Sequence, residues 1–118
     1  MPHDHTALLA RLRAAKEGSR ELGDAVLFAA GWKNVHGWAV NPVGKSICLW
    51  RQNAPDPTTN LDAITREIEA RMWTWMTSST GKSFVIGDCL DPESAFYAEC
   101  ATPALSLCYA FVEALSHE

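Results

Sequence analysis

The sequence predicts an α+β protein, specifically a three-layer α/β/α sandwich with about four helices and a mostly antiparallel sheet of about five strands. A repeated pattern is the first observation: Trp38 precedes Gly44-Lys45-Ser46 by six residues, and Trp75 precedes Gly81-Lys82-Ser83 by six. Each triplet leads into an apolar run, which is typical of a β-hairpin with a lysine at its tip. Large apolar residues also occupy both the odd and the even positions of the predicted strands. Alternate positions project from opposite faces of a sheet, so this indicates a sheet covered by helices on both faces.

Two helices are predicted before the first strand. Leu8, Leu9 and Leu12 share one face of a helix over residues 6–15, which Asp4 or Thr6 would cap. Ser19 is the expected cap of a second helix that ends at Gly31, a residue that favours the left-handed conformation found at helix ends.

The strands follow from β-forming residues bounded by turn formers. The first hairpin joins residues 35–40 to residues 46–50, and the second joins residues 73–78 to residues 83–88. A fifth strand is expected over residues 94–100, after the Asp91-Pro92 turn.

The third helix follows a loop that Pro55 and Pro57 keep out of regular structure. Thr59 and Asp62 approximate a capping box, and Glu67 and Arg71 are spaced for an exposed ion pair. The apolar positions on one face of this helix are Leu61, Ile64, Ile68 and Met72. The last helix has Thr102 as its cap and Pro103 at its first position, and its predicted buried face is Leu105, Cys108, Val112 and Leu115.

Length and composition predict one domain over residues 1–118, with a mobile N-terminus over residues 1–5. The net charge of −4 argues against a nucleic-acid polymer as partner, and no apolar run suits a membrane span or a signal peptide. The four cysteines form no C-x-x-C pair, as expected of reduced thiols in a cytosol.

Three segments resemble the phage ABA sandwich domain, a family of small proteins from tailed phages and prophages. They are residues 55–63, residues 101–108 and Arg20-Glu21-Leu22, and the resemblance spans about residues 8 to 115. It implies the α/β/α fold and a protein that works in the cytoplasm of a host bacterium, and it implies no catalytic residues. Residues 66–75 depart most from the family, which suggests that individual specificity lies there.

The Gly-Lys-Ser triplets are not P-loops, because Ala39 and Met76 occupy the place of the required upstream glycine and no helix follows. Two interpretations remain open. The lysines are solvated hairpin tips, or the turn N–H groups, lysines and serine hydroxyls together hold a phosphate or carboxylate.

The five tryptophans are either core residues or part of a binding surface. Trp73 and Trp75 share strand parity and are predicted to form one patch, and His36 shares parity with Trp38. An aromatic surface beside a lysine suits a nucleobase and its phosphate. The predicted ligand-binding residues are therefore His36, Trp38, Gly44, Lys45, Ser46, Trp73, Trp75, Gly81, Lys82 and Ser83.

No residues suggest a metal site, a cofactor or catalysis. His3-Asp4-His5 lies at a terminus with too few ligands for zinc. The carboxylates at 88, 91 and 93 surround Pro92 and are typical of a turn. A catalytic pair of a cysteine with His36 would require the two side chains to lie close together, which the sequence does not show.

The sequence thus favours a non-enzymatic phage accessory protein, expected to form a homo-oligomer. One hypothesis is that it sequesters a small anionic ligand of nucleotide type, such as a host defence signal. The alternative is a module that binds and inhibits a host or phage protein through a tryptophan-rich surface. A small hydrolase is a distant third. An aromatic pocket with converging lysines would favour the first, and a flat exposed tryptophan patch without them the second.

Overall fold

The computed structural model describes residues 5–50, 56–78, 82–86 and 95–116. Its helices are α1 (Thr6–Ala14), α2 (Arg20–Ala29), α3 (Leu61–Ala70) and α4 (Pro103–Ser116). Its strands are β1 (Lys33–Val35), β2 (Trp38–Val40), β3 (Ser46–Leu49), β4 (Thr74–Thr77), β5 (Lys82–Ile86) and β6 (Phe96–Glu99). The predicted α+β class with four helices is confirmed for these residues, and six strands are close to the five expected.

The strands form two sheets, whereas the sequence predicted one. In the described residues, β1-β2-β3 make one three-stranded antiparallel sheet and β4-β5-β6 make another. We call them the first and second sheets. Short turns specify pairing between strands that are neighbours along the chain, but the similarity of two hairpins carries no information on whether they pair with each other.

The additional strand arises at a turn that the sequence analysis missed. His36 and Gly37 have φ angles of 53° and 88°, and the N–H of Gly37 donates to Oδ1 of Asn34 at 2.9 Å. Positive φ at both central residues matches a type I′ hairpin turn, to which glycine is well suited. The prediction of one strand over residues 35–40 is therefore wrong, and His36 lies in a turn instead of sharing a strand face with Trp38.

The ends of α2 agree with prediction and those of α3 differ. Ser19 accepts a hydrogen bond from the N–H of Leu22 at 3.2 Å, and Gly31 has a φ of 103°. The cap of α3 is Asn60, not Thr59, because α3 begins at Leu61 and Oδ1 of Asn60 accepts from the N–H of Asp62 at 3.0 Å.

Met72 does not belong to the predicted apolar face of α3. The helix ends at Ala70, and Met72 then takes a φ of 63° with 86% of its surface exposed. A positive φ turns the chain out of the helix, so the three-or-four spacing no longer places the side chain on the helix face.

Helix α4 is the centre of the molecule. It begins as predicted, with the hydroxyl of Thr102 accepting from the N–H of Leu105 at 3.2 Å, and its predicted face is buried. It contacts α1, α2, α3 and all three strands of the second sheet. Phe111 of α4 meets Trp73 edge to face at 5.9 Å, which ties the entry to β4 into the core.

The first sheet is attached to α2 and α3 through two tryptophans that flank its strands. Trp50 stacks on Phe28 of α2 with ring centroids 4.9 Å apart, and Trp32 donates a 2.7 Å hydrogen bond to Glu67 of α3. Ala39 is fully buried on the face directed toward the helices. The opposite face therefore points away from the core.

Among the residues that the structure describes, there is no helix with the length and apolar character needed to cross a membrane.

Candidate functional site

The two predicted Gly-Lys turns lie on different sheets. Gly44 and Lys45 are exposed in the turn between β2 and β3, where the N–H of Lys45 donates to Oδ1 of Asn41 at 2.9 Å. Lys82 begins β5 and lies opposite Glu99 of β6, and Gly81 lies outside the described residues. Of the three cavities described below, one is lined by Lys82 and none by Lys45.

The two serines of the repeated motif have different environments. Ser83 is buried, and its hydroxyl lies 2.7 Å from that of Thr77 on the neighbouring strand. Ser46 is exposed at the start of β3. The hydroxyl of Ser83 therefore already has a structural hydrogen-bond partner.

Trp73 and Trp75 do not form the single surface patch that their parity predicted. Trp73 precedes β4 and is buried against Phe111. Trp75 is partly buried, and its indole N–H donates to Oε1 of Glu69 at 3.5 Å. Shared parity places two residues on one face only when both lie within the strand, and Trp73 does not.

Trp38 lies in an exposed apolar row on the outer face of the first sheet. It pairs with Val35 on β1 and with Leu49 on β3. The three side chains, which we call the Trp38 face, are 48%, 43% and 39% exposed for Trp38, Val35 and Leu49. Directly paired residues project from the same sheet face, so these groups form a continuous flat apolar surface.

The segment that carries the Trp38 face contains charges of one sign. Residues 33–49 contain Lys33 and Lys45 and no aspartate or glutamate, although the whole chain has a net charge of −4. Lys33 alternates with Asn34 and so projects from the same side of β1 as Val35. Lys33 therefore borders the apolar surface at Val35.

The second sheet has a comparable outer row with a different border. Met76 pairs with Phe84, which pairs with Tyr97 at a ring-centroid distance of 5.6 Å. Met76 and Tyr97 are exposed. The neighbouring Lys82 and Glu99 lie opposite each other, so this border has both signs of charge.

A groove of about 280 Å³ beside the second sheet brings together part of the predicted ligand set. Lys82 and Ser83 line it, together with Arg13 of α1, Tyr97, Ala98 and Glu99. The guanidinium of Arg13 sits 4.5 Å from the ring centroid of Tyr109. Two cations from separate elements therefore converge here, with a carboxylate next to one of them.

A cleft between α3 and the first sheet contains the best-defined polar contact. Trp32 and Glu67 line two cavities, one of about 330 Å³ and one of about 390 Å³. Glu67 is only 9% exposed, and burial raises the pKa of its carboxyl above the ordinary value, against the opposing influence of the Trp32 hydrogen bond and of Arg71. Arg71 itself donates to the backbone carbonyls of Ala30 and Glu67.

The predicted exposed ion pair between Glu67 and Arg71 is therefore wrong, and Trp32 and Glu67 are the site residues that sequence reasoning missed. The available signal was position: Glu67 follows Ile64 by three residues and precedes Ile68, so it belongs to the buried face of α3. The four-residue spacing between Glu67 and Arg71 suggested Arg71 as the partner of the carboxylate, and this was wrong.

Catalytic and metal chemistry finds little support in the described residues. No three His, Cys, Asp or Glu side chains among them are placed to hold a metal ion. Burial raises the pKa of the Cys108 thiol well above its ordinary value, with the nearby Asp56 and Cys100 adding to the effect. A thiol held protonated in the core is a poor nucleophile.

Comparison with protein-family models, curated proteins and solved structures finds no match for this chain. The described residues define the class of protein as α+β, with four helices and two three-stranded antiparallel sheets.

Proposed function

We propose that this protein is a non-enzymatic binding protein whose Trp38 face docks on a protein surface that is apolar at its centre and acidic at its rim. The observation that carries the proposal is the exposed row of Val35, Trp38 and Leu49 across three paired strands. Exposed apolar patches on folded domains mark interaction sites, and an open sheet face lacks the concave shape of a small-molecule site.

The Trp38 face suits an interface better than the outer row of the second sheet. Tryptophan is strongly enriched among the residues that dominate binding energy, whereas the second row has no tryptophan. Lys33 on the border of the face, in a segment that carries two lysines and no carboxylate, also favours a partner of opposite charge over a second copy docked face to face. This is why a second copy is the less favoured occupant.

The biological setting of the proposal comes from the sequence resemblance to the phage ABA sandwich domain. In that setting the partner is a host or phage protein in the cytoplasm of the infected bacterium, and binding inhibits it. The fold itself carries no such information, because one fold serves many functions.

The experiment compares three immobilised proteins in lysate of the host: the parent, Trp38→Thr and Tyr97→Thr. Threonine preserves strand propensity, and Tyr97 is the matched exposed aromatic residue on the second sheet. We expect one protein to be captured by the parent and by Tyr97→Thr but not by Trp38→Thr, and to be released by salt. That protein is then identified, purified and titrated against the same three proteins.

Two outcomes contradict the proposal. In one, no captured protein depends on Trp38. In the other, sedimentation of the purified parent shows a dimer that Trp38→Thr dissociates, which would make the face a contact between copies.

A second candidate function is the binding of a small anionic ligand of nucleotide type, which the sequence analysis favoured. The specific observation in its favour is the convergence of Arg13 and Lys82 on one groove with Tyr97. Glu99 next to Lys82 weakens the local attraction for an anion, which places this function second.

Thermal-shift measurements with cyclic and linear nucleotides test the second candidate. A ligand at 100 times its dissociation constant adds about 2.7 kcal/mol to the free energy of unfolding. A binding nucleotide would raise the melting temperature of the parent and of Lys45→Gln, but not of Arg13→Gln or Lys82→Gln. If no nucleotide raises the melting temperature of the parent, this function is excluded for the nucleotides used.

A further inference from the structure

We propose that the cleft between α3 and the first sheet binds a small organic cation, an amine or guanidinium with an apolar body, whose charged head meets the carboxylate of Glu67. The site is separate from the Trp38 face, so it does not depend on the protein-binding proposal.

The first observation is a mostly buried carboxylate that accepts a single hydrogen bond from the protein and still has an oxygen open to solvent. Trp32 donates to Oε1 of Glu67 at 2.7 Å, and this is the one hydrogen bond that the described residues make to the carboxylate. The second oxygen of this carboxylate accepts no hydrogen bond from the described residues, and it is not one of their fully buried polar atoms without a partner, so solvent reaches it. A donor entering the cleft would take the place of water at this oxygen.

The second observation is that the cleft has space next to this carboxylate. The cavity of about 330 Å³ is lined by Trp32 and Glu67, by Ile47 and Cys48 from β3, and by polar groups of α3 that include Asp62 and Arg66. Such a volume lies within the range of small-molecule sites.

The third observation concerns charge. Asp62 and Glu67 are carboxylates, and Arg66 is the one cationic residue among those that line this cavity. Arg66 and Asp62 are both exposed, whereas Glu67 is buried. Glu67 is therefore the buried charge of this cavity. Arg71 lines the neighbouring cavity and acts on Glu67, but its guanidinium donates to the backbone carbonyls of Ala30 and Glu67. The indole of Trp32 adds an aromatic surface that attracts cations. These features favour a cation with an apolar body over an anion.

The test uses the indole N–H signal of Trp32 in ¹H–¹⁵N spectra, assigned by its loss in Trp32→Phe. The probes are butylamine, phenethylamine and agmatine, and the controls are the neutral analogues 1-butanol and 2-phenylethanol. We expect at least one amine to shift this signal with a dissociation constant below about 10 mM, the range of a weak fragment, and the alcohols to leave it unchanged.

Variants assign the effect to the carboxylate. Glu67→Gln keeps the shape of the side chain and an acceptor oxygen for Trp32 but removes the charge, so affinity for the amine should fall at least about tenfold. Glu69→Gln is the matched control, because Glu69 is also on α3 and also accepts from an indole, that of Trp75. It should leave affinity unchanged.

The proposal is overturned if no amine shifts the Trp32 signal, if the alcohols shift it equally, or if Glu67→Gln binds the amine as the parent does. The melting temperature of each variant shows that the protein being titrated is folded.

Discussion

The indole nitrogen of Trp32 lies 2.7 Å from Oε1 of Glu67 and joins the first sheet to α3 through a buried hydrogen bond. Thirty-five residues separate the two in sequence. Burial raises the pKa of the Glu67 carboxyl against the opposing effect of this hydrogen bond, so the burial of Glu67 makes the stability of the fold depend on pH.

Glu67→Gln is expected to gain stability relative to the parent as pH rises. A carboxyl whose pKa is raised in the folded state binds more protons there than in the unfolded chain. Its favourable contribution is complete below the ordinary pKa of 4.5 and is lost as pH rises through the folded-state pKa. Urea unfolding of both proteins at pH 4.5 and pH 7 measures the change, with Glu69→Gln as control. A difference in unfolding free energy that is the same at both pH values would contradict this.

Replacing the two serines of the repeated motif, Ser83 and Ser46, with alanine should change the free energy of unfolding by different amounts. Ser83→Ala leaves the hydroxyl of Thr77 without its partner in a partly buried place, so we expect a loss of about 1 kcal/mol or more. Ser46→Ala, at an exposed position, should change stability by less than about 0.5 kcal/mol. Chemical denaturation of both variants checks the pair, and equal losses would show that the Thr77 contact has no energetic role.

Gly23→Ala should destabilise the protein even though alanine is the better helix former. A Cβ at this position of α2 would clash with Oδ1 of Asp56, which accepts hydrogen bonds from the N–H and hydroxyl of Thr58, so the Asp56 side chain would have to move and give up those contacts. We expect a cost of about 1–3 kcal/mol from this overpacking.

The control is Gly23→Ala made in a protein that already carries Asp56→Ala, because that substitution removes the oxygen that a Cβ at residue 23 would meet. The cost of Gly23→Ala, measured by thermal and urea unfolding, should shrink there. A Gly23→Ala protein that is more stable than the parent would contradict the close contact between α2 and the segment before α3.

Cys108 should be protected from alkylation in the folded protein. Its thiol is fully buried, lies 3.2 Å from the carbonyl oxygen of Pro57 and has a raised pKa because of its burial. Cys48 is partly exposed and serves as the internal comparison. Iodoacetamide followed by peptide mass mapping should modify Cys48 under native conditions and Cys108 only after denaturation. Equal labelling of both would show that α4 opens readily.

Local structure followed from the sequence where one short-range interaction decided it. Ser19 and Thr102 cap α2 and α4 as expected, since each hydroxyl accepts from an N–H of the first helical turn that has no partner within the helix. The His36-Gly37 turn was missed because both flanking segments suit strands and histidine is an uncommon choice at positive φ.

The candidate sites depended on tertiary context and were less predictable. Trp38 was predicted as a site residue and lies on an exposed face, but Trp73 is in the core because Phe111, far along the chain, packs against it. Glu67 was assigned to a local ion pair, whereas its partner is the distant Trp32. Spacing along a helix identifies neighbours on that helix and not the groups that the rest of the fold brings to it.

The most direct test of the central claim, that the Trp38 face binds an acidic protein surface, is a calorimetric titration of the purified partner with the parent, Trp38→Thr and Tyr97→Thr. We expect Trp38→Thr to weaken affinity at least about tenfold and Tyr97→Thr to leave it within about twofold of the parent. Equal affinity of Trp38→Thr and the parent would contradict the claim.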